Sequence, residues 1–406
     1  LRFNYKDNLA TFQVLLIDAL PPGYPDGKEH ESRPTIRSLP DGSTEYKLLI
    51  VTDMDKDSKA GEWTWRAVTR EGRLTLSPDM AHVSIAWDEN SERNLTSSMN
   101  IKGRAMELSD LSVFHNRILT PDDRTGLISE IKNNKMIPWV FLNSGPGNTT
   151  SPFKCEWMTI KDDVLYVGGH GNEFRNKQGE IVHRNNLWIK TVTPEGEMIP
   201  WVFLNSGPGN TTSPFKCEWM TIKDDVLYVG GHGNEFRNKQ GEIVHRNNLW
   251  IKTVTPEGEV TNVDWTDVFN NLRNAVGISE PGYLTHEAVQ WSEKQGHWYF
   301  LPRKESKTVY VEEDDEKKGT DLLIIGNPDL DQFETKRIGV LRPERGYSAF
   351  DFIPGTDDKI IVALKSKEVT DEPTETYVTV FTIDGEILLD DQKLDGNYKF
   401  EGLYFI

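Results

Sequence analysis

Apolar and polar residues alternate with a period of two along most of the chain. The segments EYKLLIVTDMD (45–55), TWRAVTREGRLTLS (64–77) and MAHVSIAWDEN (80–90) read as β-rich runs broken by Gly, Asp and Asn. LSVFHNRILTPDDRTGLISEI (111–131) predicts three short strands, with turns at His115-Asn116 and Asp122-Asp123. The same rhythm returns at 156–169, 187–197, 288–304 and 347–367. One stretch breaks it. WTDVFNNLRNAVG (265–277) has apolar residues at Val268, Leu272 and Val276 and ends on glycine, which predicts an amphipathic helix. Residues 1–30, with LPPGYPDGKEH, read as an irregular tail, and 31–406 as a single domain.

Groups of three or four strands recurring every 50–70 residues or so predict an all-β chain and a β-propeller, with a pair of β-sandwiches as the other arrangement the pattern allows. Part of the recurrence is literal. Residues 136–197 and 198–259 are identical over 62 positions and abut without a gap. Old repeats drift, so this identity marks a recent duplication or an assembly error. The unit matches one blade in length. Inserting one whole period preserves strand order, and repeat architectures tolerate it because each unit meets mainly its neighbours. The sequence therefore predicts six blades if both copies fold. The alternative is five blades with one copy extruded as a loop, which leaves apolar side chains in water at about 1.5–3 kcal/mol each.

Composition narrows the partners. A net charge of −18 disfavours nucleic acid and anionic membranes, and it repels a phosphorylated substrate unless a cation sits in the site. No apolar run approaches the ~20 residues of a membrane span, so membrane contact is expected only through an N-terminal segment missing ahead of Leu1. Cys155 and Cys217 are one cysteine counted twice and imply no disulfide framework. Glycosylation sequons at Asn94, Asn148 and Asn210 fit a secreted or ER/Golgi-lumenal glycoprotein.

An oxygen-bearing residue recurs once per group, just before an inner strand: Ser109, Glu156, Glu218, Glu287, Ser348 and Glu401, 47 to 69 residues apart. Side chains that start innermost strands point into a propeller's tunnel. Carboxylates converging there repel one another unless they share a cation. Oxygen-only ligands select a hard ion, Ca²⁺ before Mg²⁺.

VTDMDKDS (51–58), GRAMELSDL (103–111), DDRTG (122–126), FKCEW (153–157), LYVGG (165–169), PGYLTHEAVQW (281–291), FLPRK (300–304), DDEKKGTDLL (314–323), FIPGTDDKIIVALKS (352–366) and FEGLYFI (400–406) carry a resemblance. Over 35–406 the chain resembles the soluble calcium-activated nucleotidases, or apyrases. The resemblance implies a five-bladed propeller with Ca²⁺ in its tunnel, which hydrolyses nucleoside di- or triphosphates and releases phosphate. It implies calcium ligands at Ser109, Glu156 or Glu218, Glu287, Ser348 and Glu401. It places acidic groups near the phosphates at Asp53, Glu107 and Asp123, and a base-stacking aromatic at Phe174 or Phe236. It leaves room for a homodimer. Arg124 and Arg303 are candidates for phosphate contact by charge alone. An acidic position of the family is Leu187 here, and Leu249 in the copy, which bears on base or ribose preference. His170 and His183 have no ligand-like spacing and read as structural. Cleaving a phosphoanhydride needs charge neutralisation, a positioned water and a proton acceptor, which this set supplies. No Walker loop occurs. The competing reading is a non-catalytic propeller that keeps the calcium as a plug and binds a protein.

Overall fold

The computed structural model describes residues 35–406 except 89, 170, 172–173, 176–180, 184, 210–214 and 239–241; at 174–175, 181–183 and 186 it describes the backbone only. The tail expected at 1–30 lies outside these residues. Nearly all regular elements of the described chain are strands, arranged as antiparallel sheets around a tunnel.

Five sheets are regular four-stranded blades. The first comprises Ser112–Phe114, Arg117–Asp122, Leu127–Lys132 and Lys135–Phe141. The second comprises Cys155–Lys161, Val164–Gly169, Trp188–Val192 and Met198–Phe203. The third comprises Trp219–Lys223, Val226–Gly230, Trp250–Val254 and Val260–Asp264. The fourth begins with Tyr283–Ser292 and the fifth with Arg345–Phe352. The ends of the described chain meet in a seven-stranded closing sheet, where Phe400–Phe405 pairs with Thr44–Thr52 in the register Leu48↔Phe405 to Thr52↔Phe400.

The expectation of six regular blades is therefore corrected to five, plus a closing sheet of a different kind. The reason is Thr64–Leu76, a 13-residue strand long enough to take two partners along one edge, Arg93–Ser97 and Val83–Trp87. Sequence breaks it at Gly72. Structurally the strand runs straight through, because Gly72 lies under the Trp87 ring, where a Cβ would come within 2.6 Å of a ring carbon. Extrusion of a copy is also excluded, since both copies form blades.

The copies are out of phase with the blades. Each supplies the outer strand of the preceding sheet and the three inner strands of the next. The MIPWVF run of the first copy closes the first blade by pairing with Leu127–Lys132. The same six letters in the second copy close the second blade by pairing with Trp188–Val192. Of the two hairpin turns expected in the first blade, His115-Asn116 forms with both residues at positive φ; the other falls at 123–126, because Asp122 still belongs to the strand before it. The helix forms over Thr266–Ala275, but its core side is Phe269, Leu272 and Arg273. Val268 and Val276 lie at the flank of the same cluster. Both cysteines are buried and free.

Candidate active site

All six residues of the expected oxygen ring line one cavity of about 680 Å³. Local backbone explains why. The antiparallel register slips at Cys155/Trp157, His286/Ala288 and Tyr347/Ala349, and Glu401 is skipped in the pairing of the closing sheet. Glu156, Glu287, Ser348 and Glu401 are the residues at these slips. A β-bulge leaves its extra residue unpaired and re-aims the side chain, here toward the tunnel. Glu218 has the same sequence context as Glu156, but its amide donates to Gly230 O at 2.9 Å just ahead of the regular strand.

The carboxylates are held by cations of the chain. Lys399 lies 2.6 Å from Glu401, and Lys216 lies 2.6 Å from Glu218. Arg303 bridges Glu287 and Glu368. His232 Nε2 stands 3.1 Å from Glu218 and 3.3 Å from Glu287. Burial pushes the Glu156 carboxyl up to about 8, with Asp123 adding to the shift and Lys154 opposing it. Burial also raises Glu401. Glu287 goes the other way: burial pushes it up, but Arg303 and His232 hold it below the usual carboxylate range. The Ser109 hydroxyl is buried without a hydrogen-bond partner. An all-oxygen set with carboxylates raised at Glu156 and Glu401 and an orphaned hydroxyl at Ser109 fits a hard divalent cation, which would relieve the repulsion.

A second cluster lies where the closing sheet meets the first blade. Glu107 is completely buried and accepts from Arg104 at 2.6 and 2.5 Å and from Arg124 Nε at 2.5 Å. Arg104 also donates to Asp55 at 2.9 Å. Arg124 Nε is 3.2 Å from Asp123 Oδ1, and Lys154 Nζ is 3.0 Å from Asp123 Oδ2. Oxygens of Asp53, Asp55 and Glu107 lie within 4.8 Å of one another. Burial pushes the Asp53 carboxyl up to about 8, and Glu401 adds to it. Burial raises Glu107 as well, against its two arginines. Asp122 is the builder of this corner. Its carboxylate accepts from the amides of Met106 and Arg124 (both 3.0 Å) and from the Thr125 hydroxyl (2.8 Å). It thereby pins Met106 at φ +60, a conformation non-glycine residues rarely adopt, directly before Glu107.

Of the sequence candidates, Glu107, Asp123 and Arg124 meet side by side, with Asp53 beside Glu107. Arg303 does not join them; it is committed to Glu287 and Glu368 in the tunnel. Phe236 lies on a short hairpin, half exposed, stacked on His245 with centroids 4.9 Å apart and planes 11° apart. Phe174 occupies the equivalent hairpin of the first copy, where only the backbone is described. There His183 is its backbone partner, and His170 lies outside the described residues. Leu187 and Leu249 are buried. Arg104, Lys154, Lys216, Lys399, Glu368 and His232 escaped the sequence reading. A signal was present for three of them: Lys154-Cys-Glu156, Lys216-Cys-Glu218 and Lys399-Phe-Glu401 repeat a Lys-x-Glu spacing, and on a strand residues two apart share a face.

A family model described as Apyrase matches residues 54–199 and again 195–406, and the two matches change over at the junction between the copies. The chain is 37% identical over 377 residues to "Apyrase apy-1" of Caenorhabditis elegans, covering 93% of this chain and 88% of that protein. It is 37% identical to "Soluble calcium-activated nucleotidase 1" of Rattus norvegicus, covering 90% and 75%. It is 32% identical to "Apyrase" of Cimex lectularius, covering 89% and 82%. With the family model matched over nearly all of the described residues, this chain belongs to the apyrase family.

Proposed function

We propose that the chain is a calcium-dependent nucleotidase that hydrolyses the terminal phosphoanhydride of nucleoside di- or triphosphates. The observation that carries this reading is Glu107, completely buried between Arg104 and Arg124, with Asp53 and Asp123 alongside. A plug that only binds protein needs no such group. Names of relatives, among them "Soluble calcium-activated nucleotidase 1", support the same direction.

In this mechanism Ser109, Glu156 or Glu218, Glu287, Ser348 and Glu401 would hold the calcium, which would supply charge neutralisation for the phosphates. The remaining work falls to side chains of the chain. Arg124 and Arg104 present guanidinium groups that can turn from carboxylate to phosphoryl oxygens, and they stabilise charge developing on the transferred group. Asp53, whose burial raises its proton affinity toward neutrality, accepts the proton of the attacking water. Glu107 fixes the angle of both arginines. Phe236 or Phe174 stacks on the base. Exposed sequons at Asn94 and Asn148 suit a secreted or lumenal enzyme; Asn210 lies outside the described residues. No helix among the described residues is long and apolar enough to cross a membrane.

The test is phosphate release from ADP, UDP, GDP and ATP, in calcium and then with a chelator. Turnover in calcium that stops on chelation is expected. A folded chain with no turnover on any of the four would leave the protein-binding propeller as the better reading.

A further inference from the structure

Two identical stretches of 62 residues sit in different surroundings, and the surroundings differ at the residues that matter. A blade has two faces. In a chain with one copy, the same blade would present one face to the cluster around Glu107 and the other to Glu287. Here the faces belong to different copies. The first copy keeps the Glu107 side: Lys154 reaches Asp123 at 3.0 Å, and the Met158 amide donates to Asp110 at 2.7 Å. The second copy keeps the Glu287 side. His286 N donates to His232 O at 3.0 Å, Asn234 Nδ2 to Thr285 at 3.1 Å, and the Trp291 amide to Thr221 at 3.0 Å, while Glu235 is paired with Arg273 of the helix.

From this we infer that the copies have divided labour: the first is the substrate-side copy, and its Lys154 is a positioning residue for the reaction, whereas the identical Lys216 is not. The inference rests on the nucleotidase reading. Lys154 Nζ donates to Asp123 Oδ2 at 3.0 Å, whereas Arg124 Nε lies 3.2 Å from Asp123 Oδ1 but donates to Glu107, so Lys154 supplies the hydrogen bond that orients the Asp123 side chain. Lys154 is also 4.0 Å from Glu156, so one ammonium ties a rim carboxylate to a ring carboxylate. Lys216 has lost that partner. Its predecessor in the ring is another copy of itself rather than the blade that carries Asp123, and its ammonium turns to Glu218 at 2.6 Å. Without Lys154, Asp123 has Arg124 as its remaining cation among the described residues. It would then pull that guanidinium from the phosphoryl group. The consequence falls on the chemical step more than on binding.

The experiment uses the full 406-residue chain. Lys154→Met, Lys154→Arg and Lys216→Met are compared for hydrolysis of GDP and ADP in a calcium titration carried to saturation. Lys154→Met is expected to lower kcat at least tenfold even in saturating calcium, with a smaller change in KM, and Lys154→Arg to recover part of it; Lys216→Met, which frees Glu218 at the metal ring, is expected to raise the calcium concentration needed for half-maximal rate rather than to reproduce that kcat loss. An equal loss in both Met variants, or a loss under twofold in Lys154→Met, overturns the division of labour. A second readout does not depend on turnover. Amine acylation of the parent chain is run with and without the α,β-methylene analogues of ADP and GDP. Acylated Lys154 and Lys216 fall in tryptic peptides beginning at Met136 and Thr191, which differ in mass although the copies do not. Protection at Lys154 and not at Lys216 supports the inference; equal protection, or none at either, overturns it. Absence of turnover in the parent would retire the nucleotidase reading and leave this contrast to decide the substrate side.

Discussion

Removing the guanidinium of Arg273 should destabilise the protein through the charge it leaves behind. Arg273 Nη1 donates to both oxygens of Glu235 and Nη2 to one of them, all at 3.1 Å, and the two side chains are only 5% and 3% exposed. Taking one partner from a buried pair costs about 3–5 kcal/mol, because the other charge stays in a poor solvent. Arg237 lies 3.8 Å from Glu235 and compensates in part, so the lower end, about 3 kcal/mol, is the expected cost of Arg273→Met. The Glu235→Gln/Arg273→Met double variant removes the charge that Arg273→Met strands, while Arg237 keeps Glu280 at 3.9 Å, and it should recover most of that, since a pair replaced as a whole is often neutral. The readout is urea unfolding followed by tryptophan fluorescence. With a slope of about 3 kcal/mol per M, the single variant moves the midpoint down by about 1 M. A midpoint shift below about 0.2 M, or a double variant as unstable as the single one, would refute the argument from stranded charge.

Acid sensitivity is expected from His286, whose ring is buried against Phe269 and Phe300, with Nδ1 lacking a hydrogen-bond partner. Burial, helped by Arg273 and His232, holds its pKa down at about 3. The folded state thus binds fewer protons than the unfolded one between about 3 and 6.5, so this contribution is complete above 6.5 and is lost as pH falls. His286→Phe should narrow the gap between urea midpoints at pH 5 and pH 7; an unchanged gap would contradict the assignment. Glu107→Gln loosens the hold on both arginines and should lower kcat about 10²-fold, the scale for misplacing a group that positions or stabilises the reacting centre, and normal turnover would remove Glu107 from the mechanism. Ser109→Ala should weaken calcium binding several-fold in a calorimetric titration, and an unaltered affinity would place the Ser109 hydroxyl outside the coordination sphere.

How much of this was legible in the sequence depends on the range of the interaction. Strands and hairpins follow from alternation and turn chemistry, which act within a few residues, and most fall where expected; Gly72 and Asp122, read as turn residues, lie inside strands instead. The oxygen ring was also legible, because a propeller repeats its radial positions at blade spacing and so turns a three-dimensional circle into a one-dimensional period. Partners on neighbouring strands and blades were not. Arg303 reads as a free cation until Glu287 and Glu368 are placed beside it. The helix reads as apolar at Val268, Leu272 and Val276, but its packing against Trp265 and Trp298 selects Phe269 and buries Arg273 beside Glu235. The closing sheet differs from a regular blade because one strand exceeds blade length, and the glycine that suggests a break is required instead by a tryptophan on the next strand.

The ease with which a second copy is accommodated has a structural cause in where the unit begins. Its head strand is the outer strand of one blade, and its remaining strands form the next, so each unit contains both sides of an inter-blade contact. Val140 and Leu142 of the first head pack with Phe153 and Cys155 of the same copy, and Val202 and Leu204 pack with Phe215 and Cys217 of theirs. Buried lysines repeat the pattern: Lys190 Nζ donates to Gly145 O and Lys252 Nζ to Gly207 O, each at 2.6 Å, and each ammonium lies over the phenylalanine of its own copy at 5.0 and 5.1 Å. A duplication cut between blades would have had to match two foreign faces. This one carries much of its interface with it; Trp157 and Ile189 of the first copy must still pack beside Phe215 and Cys217 of the second, and Trp188–Val192 must pair with a MIPWVF strand that Leu127–Lys132 already accepts. Backbone pairing is nearly indifferent to side chains, so the pairing demand is small. What the unit cannot carry is the cluster around Glu107 on one side and the Arg273 helix on the other. Those occur once each, and they are what make two identical sequences unequal.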